Sequence, residues 1–373
     1  MFHNISCSTM PQDNQALPSA DAWQISRPGN IVDVLKFNSI QLPKLGPDQV
    51  LIKVAYAALN PVDYKLAALM PSFVQKTPRT AATDFSGHVV RLGSDALKTQ
   101  YPWLGEANAA VFGITRNIPP IKAGLTGALS TYTIANAADI QPVPDSEAAT
   151  KSGVTLENAA GLGIVAATAA AMAEHVHEGD RVLINGGTSA VGLIAAELAR
   201  VKGASFVVAT GSGAKIQFLK DRGLDDVVDY RATDAKTELA KRYGSQPFDV
   251  ALDTIGSQEL HVHSAAYLKP NARWVNIGAS VLKPDSSVFS TTVLSLVTWA
   301  LRAKLPRFLG GYARALVQLG PDFKDLKFIR EQLQAGKIRL VTDSVFEWKQ
   351  APEAYRKLIG GRALGKIIVK VEQ

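Results

Sequence analysis

Cysteine is almost absent from this chain: Cys7 is the only one in 373 residues. One cysteine excludes an intrachain disulfide framework and a four-cysteine structural zinc site, and it fits a reducing compartment. Long apolar runs are absent too. The longest uncharged one, Asn158 to Ala173, has 16 residues, short of the ~20 that a spanning helix needs. The first twenty residues lack the basic end and apolar centre of a secretory signal. A cytoplasmic protein without a membrane span is the expectation. The net charge is +7 and the pI about 9.3, yet no basic run is interleaved with aromatics. Nucleic acid is therefore not an expected partner. What the chain does have is 47% hydrophobic and 20% charged residues, the composition of a globular enzyme of one or two domains.

The segment Val182-Leu183-Ile184-Asn185-Gly186-Gly187-Thr188-Ser189-Ala190-Val191-Gly192 reads as a buried strand, a tight turn and the start of a helix. Val191, Ile194, Leu198 and Val201 continue at helical spacing. A helix start after such a turn aims free N–H groups at a pyrophosphate. Gly187 and Gly192 take the first and third glycine places of the dinucleotide pattern, and Ser189 the second. Thr188, Ala190 and Val191 complete the expected phosphate turn. The Ser189 hydroxyl is a further candidate donor.

A second strand, Ser205 to Ala209, ends in Thr210-Gly211-Ser212-Gly213-Ala214-Lys215. An acid there would bind a ribose 2'-hydroxyl. None is present. Ser212 and Lys215 instead suit a 2'-phosphate, and Tyr230, after the third strand, is placed to close over the adenosine. NADPH is the expected cofactor. Plainer readings are a helix-capping Ser212 and a solvated Lys215. Two later strands end near Gly256 and Gly278, candidates for close approach to ribose and nicotinamide, or simple loop punctuation.

With these residues on view, the chain resembles the medium-chain dehydrogenase/reductase superfamily, in its zinc-independent quinone oxidoreductase and enoyl reductase branch. The resemblance runs from about Ile25 to Val371. It is carried by Leu59-Asn60-Pro61-Val62-Asp63-Tyr64-Lys65, Thr83-Asp84-Phe85-Ser86-Gly87-His88, Gly127-Ala128-Leu129-Ser130, the phosphate turn and Gly365-Lys366-Ile367-Ile368-Val369. The turn is similar to that of fungal reductases, including enoyl reductases that serve polyketide synthases. The resemblance implies an α/β protein: a doubly wound parallel (Rossmann) domain over 155–279, and a discontinuous, mostly β barrel-like (GroES-like) catalytic domain over 1–154 and 280–373. Short alternating strands before 154 agree with this. The site is expected in the cleft between them.

The same resemblance puts Asn60, Tyr64 and Lys65 beneath the nicotinamide as candidate catalytic groups. Asn60 would donate through its amide, Lys65 would set a charge near the developing enolate or hold ribose, and Tyr64 would supply a proton. Neighbouring residues on a helix point apart, so Tyr64 and Lys65 are not both expected to act. Thr168 is the candidate nicotinamide contact and Lys366 a further cofactor residue. Some enoyl reductases carry a later tyrosine; here that region reads Met70-Pro71-Ser72-Phe73.

Asn60 stands where the zinc-dependent branch has its first Cys, and Gly87-His88 is followed by Val89 rather than Glu. No metal is therefore expected. The pairs His175-Val176-His177 and His261-Val262-His263 read as surface histidines. Without a Lewis acid the sensible acceptor is already electrophilic: a quinone, an enone or an enoyl thioester. Three readings stand: a small-molecule NADPH reductase, a trans-acting enoyl reductase meeting an acyl carrier, and a cofactor-binding regulatory protein. Monomer or homodimer is expected. The segment 289–314, apolar from Val293 to Leu301 and then basic through Arg302, Lys304, Arg307 and Arg314, fits a lid, a dimer surface, a substrate wall or a helix packed on its own domain.

Overall fold

The computed structural model describes residues 16–70, 76–116, 126–151, 153–278, 298, 301, 305, 315–318 and 326–371. Cys7, His3, the Pro71-Ser72-Phe73 stretch and nearly all of 289–314 lie outside the described residues. Among the described residues, no helix is long and apolar enough to cross a membrane.

The first half of the chain is mostly strand. β1 (Ser19–Ile25) pairs antiparallel with β2 (Leu35–Gln41) along its whole length. β3 (Gln49–Ala58) is central to a larger sheet that also takes β5 (Asp84–Leu92), β6 (Ala110–Ile114), β7 (Tyr132–Asn136) and β8 (Ile140–Pro142), while β4 (Arg79–Thr80) pairs with β1. Ile52, Val54, Phe85, Val111 and Ala135 share one buried cluster, as period-2 side chains on a one-sided sheet must. β7 begins three residues after Leu129. Leu129 is drawn to β1 instead: its carbonyl accepts from Trp23 N at 3.0 Å, and Ser130 bridges to Ala22.

The second unit is a parallel sheet of β9 (Arg181–Asn185), β10 (Phe206–Gly211), β11 (Asp226–Asp229), β12 (Phe248–Asp253), β13 (Leu268–Asn276) and β14 (Ala315–Gln318). Its spatial order is β11-β10-β9-β12-β13-β14. This is the doubly wound order in which the chain reverses between β9 and β12, and ligands lie outside the strand ends at that point. The expected limit at 279 falls short of this sheet's end. β14 pairs in parallel with β13, and the helix Leu326–Gln334 buries Leu326, Ile329 and Leu333 in the cluster that holds Ile184 and Leu198. Spacing of three and four residues sets those three on one helix face, which needs the sheet's cover to bury it. The chain re-enters the mixed sheet at β15 (Thr342–Phe346), then β16 (Lys366–Lys370), which lies antiparallel to β3.

Candidate cofactor cleft and active site

The phosphate turn joins β9 to the helix Ala190–Val201. The left-handed residue is Gly186, at φ +85°, not Gly187 in the expected first place. Gly187 packs against β10, where a Cβ would come within 2.5 Å of Ala209. Ser189 is the helix cap rather than a free donor. Its Oγ accepts from Gly192 N at 2.9 Å and lies 2.9 Å from Thr254 Oγ1. Capping Gly192 leaves the N–H groups of Ala190 and Val191 without a partner among the described residues. Those are the groups a pyrophosphate would take.

Under the turn lies a polar network absent from the expected site. Asn185 Nδ2 donates to Asp253 Oδ1 at 2.7 Å, Thr210 Oγ1 donates to Asn185 Oδ1 at 2.8 Å, and Gly186 N donates to Thr210 Oγ1 at 2.9 Å. Asp253 also takes the N–H groups of Ile255, Gly256 and Ser257 and the Trp274 indole. Burial pushes its carboxyl pKa up, and these hydrogen bonds oppose the shift. Gly256 thus has φ +87° with its N–H already used, and Gly278 abuts it so closely that a Cβ would sit 2.3 Å from Gly256 N. The signal in the sequence was a polar residue ending each apolar strand: Asn185, Thr210, Asp253, Asn276.

At the end of β10, Ser212 Oγ donates to Tyr230 OH at 3.1 Å, so two expected adenosine residues meet. Thr210 is 2% exposed and turned to the phosphate turn; Ser212 is buried as well, and the exposed edge begins at Gly213. Asp229 ends β11 with its carboxylate on the backbone N–H groups of Arg231 and Ala232, which hold its pKa down. Lys215 is not a solvated lysine. Its Nζ donates to the carbonyls of Arg362 at 2.7 Å and Ala363 at 3.3 Å, across the cleft.

The helix Pro61–Leu69 carries the candidate catalytic loop. Asn60 precedes Pro61, whose fixed φ suits a first helical position, and Asp63 Oδ2 accepts from Asn60 N at 2.8 Å. Asn60 does not offer its amide to the cleft. It is 2% exposed, donates Nδ2 to Asp84 Oδ2 at 2.8 Å and accepts from Lys366 Nζ at 2.7 Å. Lys366 also reaches Asp84 Oδ2 at 3.2 Å, so it is a buried partner of this cluster rather than an open cofactor residue. Asp84 Oδ1 accepts from Ile164 N at 2.9 Å, pinning the helix Gly163–Ala173. That helix is buried except at Ile164 and Thr168, one turn apart, and the Thr168 hydroxyl has no partner among the described residues.

Tyr64 packs on the core of the mixed sheet, and burial raises its phenol pKa. Lys65, half-buried on another face of the helix, has its ammonium pKa lowered by burial. Beneath them Asp63 meets the Tyr355 hydroxyl at 3.3 Å; burial lifts Asp63 to about 7 against the pull of Asn60 N–H. Arg79, also buried, has no hydrogen-bond partner for Nε or Nη2 among the described residues.

The metal comparison shifts as well. Asn60 faces Asp84, not His88, whose Nδ1 lies 3.1 Å from the Asn108 carbonyl. Among the described residues no three His, Cys, Asp or Glu groups converge. His261 is not a surface histidine: it is fully buried, its ring 5.5 Å from that of Trp274.

Comparison with known proteins follows this geometry. Residues 46–145 match the alcohol dehydrogenase GroES-like domain family, and 222–369 the zinc-binding dehydrogenase family. The trans-enoyl reductase pgmF of Aspergillus terreus is 32% identical, covering 94% of this chain and 96% of its own. The medium chain reductase pydE of Acremonium sp. is 32% identical over 88% and 92%. Among solved structures, the quinone oxidoreductase of Coxiella burnetii superposes with a TM-score of 0.73 at 24% identity, over 95% of this chain and 100% of its own. A mycobacterial protein complexed with NADPH reaches 0.68 at 20% identity, over 94% and 100%. At those identities the structures speak for the fold; the fungal sequences speak for kinship. The chain belongs to the NAD(P)-dependent medium-chain dehydrogenase/reductase superfamily, in its fungal enoyl-reductase-like branch.

Proposed function

We propose that this protein is an NADPH-dependent, zinc-independent reductase of activated acceptors, with enones and enoyl thioesters as the first class and quinones as the second. The observation that carries the reading is the buried Asn60–Asp84–Lys366 cluster. The donor set does not fit zinc. The Asn60 oxygen and an Asp84 oxygen are both bound to an ammonium, whose charge would repel a dication. A saturated alcohol then lacks the Lewis acid that would acidify it, so the acceptor must already be electrophilic.

The dinucleotide, when bound, supplies the hydride. The free N–H groups of Ala190 and Val191 suit its pyrophosphate, and Ser212, Tyr230 and Lys215 its 2'-phosphate. Thr168 is assigned to the nicotinamide side. Lys65 is assigned the charge that builds on the acceptor oxygen as hydride reaches the β-carbon. Asn60 and Lys366 are positioning residues, holding the loop that bears Lys65. The relatives named trans-enoyl reductase favour an acyl chain delivered on a carrier. We divide the chain into a catalytic unit of 16–154 and 342–371 and a cofactor unit of 155–334.

A turnover screen tests this: NADPH and NADH against quinones, enones and crotonyl thioesters, with and without a chelator. Deuterium from labelled NADPH is expected on the β-carbon, unaffected by chelation. Lys65→Met is expected to lower kcat by about tenfold, ~1.4 kcal/mol. Equal turnover with NADH, loss of activity on chelation, or no turnover of any acceptor would each overturn the reading, the last in favour of a cofactor-binding regulator.

A further inference from the structure

A second cluster of charge lies away from the cofactor cleft. Four pieces of chain line a cavity of about 640 Å³: the end of the helix Ala190–Val201, the start of β10, the loop before β11 and the segment after the helix Leu326–Gln334. This is the amino end of the parallel strands, and the adenosine edge is at the other end. Along β10 alone, Phe206 and Gly211 stand roughly 17 Å apart.

The lining is cationic: Arg200, Arg222, Lys337 and Arg339 share it with one carboxylate, Glu197. Arg222 is 10% exposed yet engages only Nη2, which donates to Glu197 Oε1 at 2.5 Å and to the Arg339 carbonyl at 2.7 Å. Its Nε and Nη1 have no hydrogen-bond partner among the described residues. Arg339 engages Nε and Nη2, which leaves Nη1. The Lys337 ammonium makes no ion pair or hydrogen bond among the described residues. Asp225, just beyond, is already occupied by Arg200 and by Val207 N at 2.6 Å. Burial lowers the Arg222 pKa and Glu197 opposes the shift, but Arg339 adds to it, as a like charge close by must.

A guanidinium offers paired N–H groups that match two oxygens of an anion. Two guanidiniums and an ammonium carry more charge than Glu197 neutralises. A phosphate monoester answers them, with close to two negative charges and three strong acceptor oxygens. Buried Val207 and Leu224 and half-buried Val201 supply an apolar wall beside these donors. The cavity is much larger than a phosphate group, so that wall has room for an organic body.

We propose that this cavity is a second ligand site, for a small organic phosphate: Arg222, Arg339 and Lys337 take the phosphate, and the apolar wall takes the body. The site does not depend on which dinucleotide fills the cleft. Its ligand bridges the helix that starts at the phosphate turn to the segment that re-enters the mixed sheet at β15. It therefore binds the folded chain and stabilises it.

The test titrates phenyl phosphate, inorganic phosphate and citrate into the full chain at constant ionic strength. The cleft is first saturated with whichever dinucleotide binds more tightly. Phenyl phosphate is expected to bind as one further equivalent, more tightly than inorganic phosphate, and to raise the urea midpoint. Lys337→Ala, and Arg339→Gln, which leaves Arg222 on Glu197, are each expected to weaken phenyl phosphate by about tenfold and the dinucleotide by less than about twofold. Lys349→Ala, which removes an exposed lysine of the mixed-sheet unit, is expected to leave phenyl phosphate binding unchanged. No saturable binding with the cleft filled would overturn the proposal, and so would an equal loss in Lys349→Ala and Lys337→Ala, the mark of general surface charge. Tighter binding of citrate than of phenyl phosphate would overturn the phosphate assignment in favour of a carboxylate ligand.

Discussion

Glu197 and Asp84 are both buried carboxylates gripped by cations from far along the chain, and their surroundings differ in charge balance. Glu197 sits two turns down the helix from the phosphate turn, on the wall of a cavity of about 640 Å³. Arg222 reaches it at 2.5 Å, Arg339 Nε at 3.0 Å and Arg339 N at 2.8 Å. The two arginines also donate to each other's backbone carbonyls. One acid faces two guanidiniums, and the cluster fastens the segment after the helix Leu326–Gln334 to the cofactor unit. The cleft cluster is not saturated in this way: two acids, Asp63 and Asp84, share Lys366 and Arg79. Burial chiefly raises the Asp63 pKa and Asp84 adds to it, while Lys366 and Arg79 each lower it less than Asp84 raises it. Saturated charge makes a rivet. Crowded acids sharing few direct cation contacts make a group that titrates, next to the loop that is assigned to the chemistry.

The largest expected effect is at the rivet. Glu197→Ala leaves two guanidiniums without their carboxylate and should cost about 3 kcal/mol of stability, read as a lower urea midpoint. The kcat on the best acceptor should hold. Glu197→Gln should cost less, since its amide oxygen still accepts. A fall in kcat with stability intact would break the comparison, because it would make Glu197 part of the working site.

The two clusters were also unequally legible in the sequence. Asn60 and Lys366 were singled out, but for duties in the open cleft; that they meet each other over 306 positions is a tertiary fact. Nothing local in Thr83-Asp84 marks a carboxylate that will serve three elements at once. The doubly wound order followed from apolar strands alternating with amphipathic helices, and Ser212 with Tyr230 from the missing acid. β14 was not legible: four residues, Ala315 to Gln318, carry too short a period to tell strand from helix. That Lys215 also holds the carbonyls of Arg362 and Ala363 was not legible, since backbone carbonyls of a distant turn leave no mark on side-chain patterns. Ser189 looked like a phosphate donor because a cap and a donor have the same small hydroxyl.

The next effect concerns pH. Asp63 has a folded pKa of about 7, above its ordinary 3.8, chiefly through burial. The folded chain therefore binds a proton that the unfolded chain has released between those values. The stability Asp63 contributes is full below about pH 4 and is lost as pH rises through 7. The slope is at most about 1.4 kcal/mol per pH unit. Asp63→Asn keeps an acceptor for Asn60 N and removes the titration. Urea midpoints from pH 5 to 8 should show the unchanged protein losing stability relative to Asp63→Asn as pH rises. Parallel curves would mean that Asp63 is ionised throughout, with Arg79 as its effective countercharge.

The smallest effect in free energy bears most directly on function. Asp84→Asn keeps the shape of the cluster and removes the charge opposite Lys366. Lys366 then loses its charge-assisted contact with Asp84, and the hold it keeps on the Asn60 oxygen is less well fixed. The loop that carries Lys65 then loses its anchor, and so does the helix that carries Thr168, pinned through Ile164 N. The expected outcome is a loss of about tenfold in kcat, ~1.4 kcal/mol, with the NADPH dissociation constant changed less than about twofold. Stability should fall by roughly 1–3 kcal/mol, less than at Glu197. If Asp84→Asn loses stability but keeps kcat, the cleft cluster is a second rivet, and the loop bearing Lys65 does not depend on it for its chemistry.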